Sequence, residues 1–298
     1  MKRTENSSKL LGMTFAAGSA VIFGCTPLLT SGIYLGGSNG VTAAFLRAAL
    51  GSPILLVLVL CRRQPLLPTP VSRPALAGAG ILSGITSLLL YTAYEMIPTS
   101  VATSIHFVYP VTVAILSAVF LKKKLSVIQC AGLVLGTTGI FAFMIGADMD
   151  DLAGMCLALA SGITFGGYIV LLDTKGIGKV GSLLLAFWIS VIAAAIIGIY
   201  AVATGRLWLP ETPQAWGYAF LLALCTTLGA TMLLQIGVRL CGATNGAILS
   251  LLEPVTSVFI GTLVLKEELS PLKILGSTMT LSSLLMMTVL PRIGRRGI

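Results

Sequence analysis

Glu253 stands inside an apolar run, Ala243–Leu265, and Pro254 follows it. The run is about the 20 residues that a helix needs to cross a bilayer. A carboxyl at that depth costs about 3 kcal/mol unless it is paired, hydrated or protonated, so its presence points to function. Proline has no N–H to donate, so the carbonyl four residues earlier, at Ser250, is expected to lose its helical partner. One short stretch then offers a carboxylate, a free carbonyl and a hydroxyl, the makings of a solute site. The same pattern occurs earlier in the chain. His106, the only histidine, lies one turn before Pro110, with Tyr109 three residues on and so on the same helix face.

Each of these side chains has more than one role open to it. Glu253 can bind a substrate amine, carry a proton, or pair with Arg47 or with backbone groups. His106 can relay protons, because an imidazole titrates near neutrality, or line a polar wall as a neutral ring. Arg47 lies about two turns into the second apolar stretch. There it can hold a carboxylate through two parallel hydrogen bonds or serve as one half of a structural pair. Tyr91, Tyr94, Tyr168, Trp188 and Gln235 can line a cavity for a flat or cationic solute; membrane aromatics also gather at the interfaces. Pro110 and Pro254 are expected to break their helices and free the carbonyls of His106 and Ser250, a recurrent transporter device. Kinks that neighbouring helices stabilise are the alternative. Glu95 is expected to be solvated near the outer end of its stretch.

The elements that must position these residues are membrane helices. The chain of 298 residues is 56% hydrophobic and 10% charged, with a mean hydropathy of +0.99. Soluble chains carry about 25% charged residues. Apolar stretches of near-bilayer length recur ten times, at roughly 11–34, 40–60, 74–94, 99–121, 126–146, 152–172, 181–204, 215–237, 243–265 and 271–290. The fold class is therefore an all-α membrane protein with ten transmembrane helices. The polar, basic N-terminus followed by a long apolar run reads as an uncleaved first helix rather than a signal peptide.

The net charge of +9 does not indicate nucleic acid, because the basic residues sit at the ends of the apolar stretches. With the N-terminus in the cytoplasm, 15 of the 19 Lys and Arg fall on the cytoplasmic side, 3 on the other, and Arg47 within a span. That excess is the positive-inside signature, and it makes both termini cytoplasmic in a cell inner membrane. The six cysteines lie in or at the edges of the stretches with no C-x-x-C pair, so they read as small packing residues. No Walker loop and no H-E-x-x-H occurs. The sequence therefore offers no catalytic residue, no metal site and no cofactor.

The chain also repeats itself at an offset of 142 to 144. Gly12–Cys25 resembles Gly154–Gly167, with Gly12/Gly154, Ser19/Ser161, Phe23/Phe165 and Gly24/Gly166 in register. Tyr109–Ser126 resembles Glu253–Ser270, with Pro-Val-Thr, Lys122/Lys266 and Leu-Ser in register. Five spans is an odd number, so two such repeats in series, 1–147 and 148–298, are expected to be inverted. Inverted repeats put a site at their interface near the midplane and give two related conformations. Small residues at four-residue spacing (Ala16, Ala20 and Gly24 with their copies, Gly132/Gly136, Gly276/Thr280) read as close helix-packing faces.

Phe45-Leu46-Arg47 in the second span, Glu253-Pro254-Val255, and Leu265-Lys266-Glu267-Glu268-Leu269 resemble the EamA family of the drug/metabolite transporter superfamily. The resemblance covers nearly the whole chain. Lys124 departs from it, standing where the family has a glutamate after the fourth span. What the resemblance implies is a secondary transporter that moves a small organic solute, an amino acid or related metabolite, by alternating access. Export is the direction it favours, with protons as a further partner, membrane lipid around it, and a monomer or weak homodimer as the assembly. The other readings are a multidrug or amphipathic-compound exporter of the same fold, a scaffold membrane protein that transports nothing, and an intramembrane enzyme acting on lipids.

Overall fold

Asn39 starts the second long helix by accepting a hydrogen bond from the Thr42 amide at 2.8 Å, which satisfies one of the free N–H groups of the first turn. The helix, Gly40–Cys61, is α3 in the computed structural model, which describes residues 2–121, 127–144, 149–172, 177, 180–241, 249–250, 252–266 and 271–288. Before it come α1 (Lys2–Gly24) and α2 (Thr26–Tyr34), separated at Cys25, with Pro27 in the first turn of α2. After it come α4 (Arg73–Met96), α5 (Thr99–His106), α6 (Tyr109–Leu121) and α7 (Val127–Met144). The second half holds α8 (Met149–Leu172), α9 (Ser182–Ala203) and α10 (Pro213–Leu222). A π-helical segment, Ala223–Ala230, leads into α11 (Thr231–Cys241), then α12 (Leu252–Leu263) and α13 (Pro271–Thr288). No strand occurs among the described residues.

Six helical runs among the described residues are long and apolar enough to cross a membrane: Leu10–Tyr34, Gly40–Cys61, Pro70–Met96, Asp151–Leu172, Ser182–Ala203 and Pro213–Gly237. The other four expected spans are not among these runs, so the count of ten stays an expectation. Within the expected run over 243–265, α12 covers Leu252–Leu263, and residues 243–248 and 251 lie outside the described residues. Lys122–Lys124, Gly246 and Glu267–Glu268 lie outside the described residues.

Local chemistry keeps the long helices intact. Pro53 inside α3 cannot donate to the Ala49 carbonyl, and Ser52 Oγ donates to that carbonyl instead, at 3.3 Å. The outward faces of α3, α9 and α12 carry Val57, Leu60, Ile199, Val202, Phe259 and Leu263, all exposed. Such a surface suits lipid or a protein neighbour rather than water.

The two halves pack through matched contacts. A Cβ added at Gly24 would lie 2.5 Å from Thr256 Cβ and 2.8 Å from the Glu253 carbonyl oxygen. A Cβ added at Gly166, the repeat equivalent of Gly24, would lie 2.7 Å from Thr112 Cβ and 3.1 Å from the Tyr109 carbonyl oxygen. Thr112 and Thr256 are equivalents, as are Tyr109 and Glu253. Each half therefore lays its first helix against the proline-bearing helix of the other, α1 on α12 and α8 on α6. In the same manner α1 meets the π-helical segment and α11, with Ser19 Oγ donating to the Ala230 carbonyl at 2.7 Å, and α8 meets α4, where the Thr86 and Thr164 hydroxyls are 2.8 Å apart. Helix α7 packs on α13, its own equivalent, with Ser283 Oγ donating to the Gly132 carbonyl beside Gly136.

Candidate functional site

A cavity of about 90 Å³ lies between α3, α4, α5, α8, α9 and the first turn of α12. That is room for several waters or one small organic molecule. Arg47, His106 and Glu253 all line it, together with Tyr91, Tyr94 and Tyr168. Three ionisable groups from three parts of the chain thus share one enclosure.

Arg47 is the eighth residue of α3, so it sits about 10 Å below the helix start at 1.5 Å per residue. Its guanidinium donates from Nη2 to Ser87 Oγ at 2.6 Å and lies 5.9 Å from the centre of the Tyr91 ring. Its Nε is buried with no hydrogen-bond partner. Ser87 passes the hydrogen bond on to the Ser83 carbonyl at 3.0 Å. Thr227, from the π-helical segment, fixes the backbone by donating to the Arg47 carbonyl at 3.1 Å.

Glu253 is the second residue of α12. A carboxylate in a first helical turn faces free N–H groups and the positive end of the helix dipole. Among the described residues no ion pair joins Glu253 to Arg47; the pair that does form is Glu95 with Arg206, at 3.1 Å. The structural pairing expected for Arg47 is therefore corrected: its partner is the Ser87 hydroxyl. The expectation of a free Ser250 carbonyl is corrected too, because that carbonyl accepts the Glu253 N–H at 3.0 Å. Pro254 is the third residue of α12, where a missing N–H leaves no helical bond unmade. Pro110 occupies the second position of α6 in the same way, after a break at Phe107 and Val108.

His106 ends α5, and its Nδ1 lies 2.8 Å from Ser161 Oγ. The Ser161 hydroxyl spends its one hydrogen on the Ala158 carbonyl at 2.6 Å, so Nδ1 must carry the proton of this bond. In the neutral ring that leaves Nε2 as a lone-pair acceptor. The ring packs on Phe165 at 5.3 Å and on Tyr109 at 6.0 Å. The His106 backbone carbonyl presses on Gly162, where a Cβ would lie 2.5 Å away.

The other expected site residues divide. Tyr91 and Tyr94 stack with ring centres 5.9 Å apart, and both line the cavity. Tyr168 lines it beside Gln235, whose buried amide is close to the Tyr168 hydroxyl without reaching normal hydrogen-bond geometry. Tyr109 lies behind the wall, packed edge-on against Phe165 at 4.8 Å and bonded to Ser250. Trp188 is not part of the lining; its Nε1 donates to the Leu66 carbonyl at 2.8 Å. Glu95 is not simply solvated, because it binds Arg206 and the Gly40 amide.

The sequence reading missed Ser83, Thr86, Ser87 and Leu90, which join Tyr91 and Tyr94 on the cavity wall. Their spacing of three and four along α4 is the signal that would have found them, a mostly polar stripe on one helix face.

This chain shares its fold with a solved structure. A crystal structure of a protein matches it with a TM-score of 0.67 at 17% identity, covering 96% of this chain and 99% of that one. Uncharacterized transporter sll1319 of Synechocystis sp. is 28% identical over 223 residues, 70% of this chain and 66% of the relative. Uncharacterized transporter YcbK of Bacillus subtilis is 23% identical over 292 residues, 92% of this chain and 93% of the relative. Uncharacterized transporter YwfM, also of Bacillus subtilis, is 29% identical over 151 residues, and the match spans 47% of its length. The model of the EamA-like transporter family matches twice, over residues 10–145 and 152–289. With two tandem copies of one family unit, packed through equivalent glycines, this multi-pass chain is a member of the EamA-like transporter family.

Proposed function

We propose that the chain is a secondary transporter of a small zwitterionic solute, an amino acid or related metabolite, in the cell inner membrane. The observation that carries this reading is the cavity holding both Arg47 and Glu253 with no ion pair between them. A guanidinium and a carboxyl left apart in one cavity suit a solute that bears both charges. The Arg47 fork would take its carboxylate, and Glu253 its amine. The tyrosines beside them offer faces for the rest of the molecule.

Alternating access fits the matched contacts between the halves 1–147 and 148–298, taken here as two inverted five-helix units. Trading equivalent contacts would expose the cavity to one side and then the other. The cytoplasmic placement of both termini follows from the charge asymmetry, and the family resemblance favours export.

The test is a thermal-stability screen of the purified full chain against amino acids, amines, organic acids, sugars and nucleosides, followed by flux into proteoliposomes. A ligand at 100 times its dissociation constant stabilises by about 2.7 kcal/mol. A zwitterion that raises the melting point of the wild type, and not of Glu253→Gln or Arg47→Gln, supports the proposal. Stabilisation by lipophilic cations alone would favour a multidrug exporter, for which the aromatic wall is equally suited. Ligand-independent melting and no flux of any class would leave a scaffold protein.

A further inference from the structure

Three segments meet at the end of the bundle where α2 turns into α3, where α4 ends, and where the chain leaves α9. Glu95, one turn beyond the cavity residue Tyr91 on α4, accepts from Arg206 Nη2 at 3.1 Å through one carboxylate oxygen. Through the other it accepts from the Gly40 amide in the first turn of α3. A Cβ at Gly40 would collide with the Tyr91 carbonyl, so α3 and α4 are in backbone contact at this point. The Arg206 carbonyl accepts from Asn39 Nδ2 at 2.8 Å and from Thr42 Oγ1 at 3.2 Å. The same loop continues the lacing: the Trp208 amide donates to Thr42 Oγ1 at 2.9 Å, and Ser38 Oγ donates to the Trp208 carbonyl at 2.6 Å. The Glu211 amide donates to the Gly36 carbonyl at 2.9 Å.

The repeat offers a comparison at the opposite end. At offsets of 142 to 144, Arg206 corresponds to Gln64, Arg63 and Arg62, and Glu95 corresponds to Gly237, Val238 and Arg239. None of these positions is acidic, so the repeat equivalents cannot reproduce this pair. The charge asymmetry makes the end that carries Glu95 and Arg206 the non-cytoplasmic end.

We propose that the Glu95–Arg206 ion pair, seated on the α3 N-terminus, is a latch that holds the cavity closed to the non-cytoplasmic side. Breaking it is the step that opens that side. The proposal rests on the transport reading above and deepens it. A latch at the exit end lets the cavity fill from the cytoplasm before it discharges. The pair is partly exposed, with side chains at 35% and 22%, so it is strong enough to bias the equilibrium and weak enough to release.

The test is thiol accessibility in the membrane, on the full chain with its six cysteines changed to serine. Ser190→Cys, on the cavity wall, reports opening. Leu35→Cys, 91% exposed beside the latch, reports which side that end faces. A membrane-impermeant methanethiosulfonate is added to intact cells. With Glu95→Gln, labelling of Ser190→Cys is expected to rise about twofold to fivefold, the population shift that one half-exposed ion pair supports. Labelling of Leu35→Cys should stay unchanged. Should Glu95→Gln not reach the membrane, Arg206→Gln breaks the pair from the loop side and carries the same expectation. Unchanged labelling of Ser190→Cys in the variant that reaches the membrane overturns the latch. Labelling of Leu35→Cys only in inside-out vesicles overturns the orientation, and the latch is then scored in those vesicles. Increased labelling in a protein that moves no solute keeps the latch and removes the transport reading.

Discussion

Arg47 reaches Ser87 Oγ at 2.6 Å and makes no ion pair with Glu253, although both side chains line the same cavity. Its Nε remains buried without a partner. A buried charged donor left unmade costs more than an ordinary hydrogen bond contributes, which makes Arg47 the first residue to test for the proposed carboxylate role.

Removing that cation should act on solute binding before it acts on the fold. A hydrogen bond to a charged group contributes about 1.5–3 kcal/mol. Arg47→Gln is therefore expected to raise the KM of a transported zwitterion by about tenfold or more in proteoliposomes. Ser87→Ala, which leaves the charge and removes one anchor, should raise it less. Equal KM values for Arg47→Gln and wild type would contradict the carboxylate role.

Protons, if they move with the solute, have two candidate carriers in the cavity, Glu253 and His106, and His106 is the one that can be replaced without touching the proposed amine site. His106→Gln keeps an amide to bond Ser161 but cannot take up a proton. Solute exchange at equal pH should survive in this variant, and accumulation driven by a pH gradient should be lost. Retained pH-driven accumulation would take His106 out of the proton path.

The matched glycines predict matched damage. Gly24→Val and Gly166→Val each force a side chain to within 2.5–2.7 Å of a threonine Cβ on the opposite half. Overpacking of this kind costs about 1–3 kcal/mol, so both should lower the melting temperature by similar amounts. A large loss at one site and none at the other would argue against equivalent packing.

Asn39 has two roles at once, as the cap of α3 and as a donor to the Arg206 carbonyl. Loss of a cap alone costs about 0.5–2 kcal/mol. Asn39→Ala should therefore destabilise more than Thr212→Ala, since Thr212 caps α10 by accepting from the Ala215 amide. Thermal melts of the two variants in one detergent decide this.

Much of this architecture was legible in the residues, because bilayer length and tandem similarity leave strong marks. Glu253, His106, Arg47, Tyr91 and Tyr168 stood out because polar groups are conspicuous in apolar runs, and all five line the cavity. Ser83, Thr86 and Ser87 did not, since small hydroxyls hide easily in membrane helices by bonding to their own backbone, as Ser87 does to Ser83. Proline was over-read. Pro110 and Pro254 both fall in the first turn of their helices, and before α6 the break lies at Phe107 and Val108. Partners were the least visible feature. Glu95 and Arg206 are 111 positions apart, and nothing local links them.

The alternation proposed above carries an energetic consequence, because Gly24 on Thr256 and Gly166 on Thr112 are like contacts. Two arrangements that trade such contacts would be nearly isoenergetic, because the shared packing would cancel from their difference. What remains comes from the few positions where the halves disagree. Examples are Glu95 against Arg239, Lys124 against Glu268, and His106 against Ser250. The molecule thus resembles a balance with two equal pans, on which a single substitution at an unmatched position is enough to set the resting tilt.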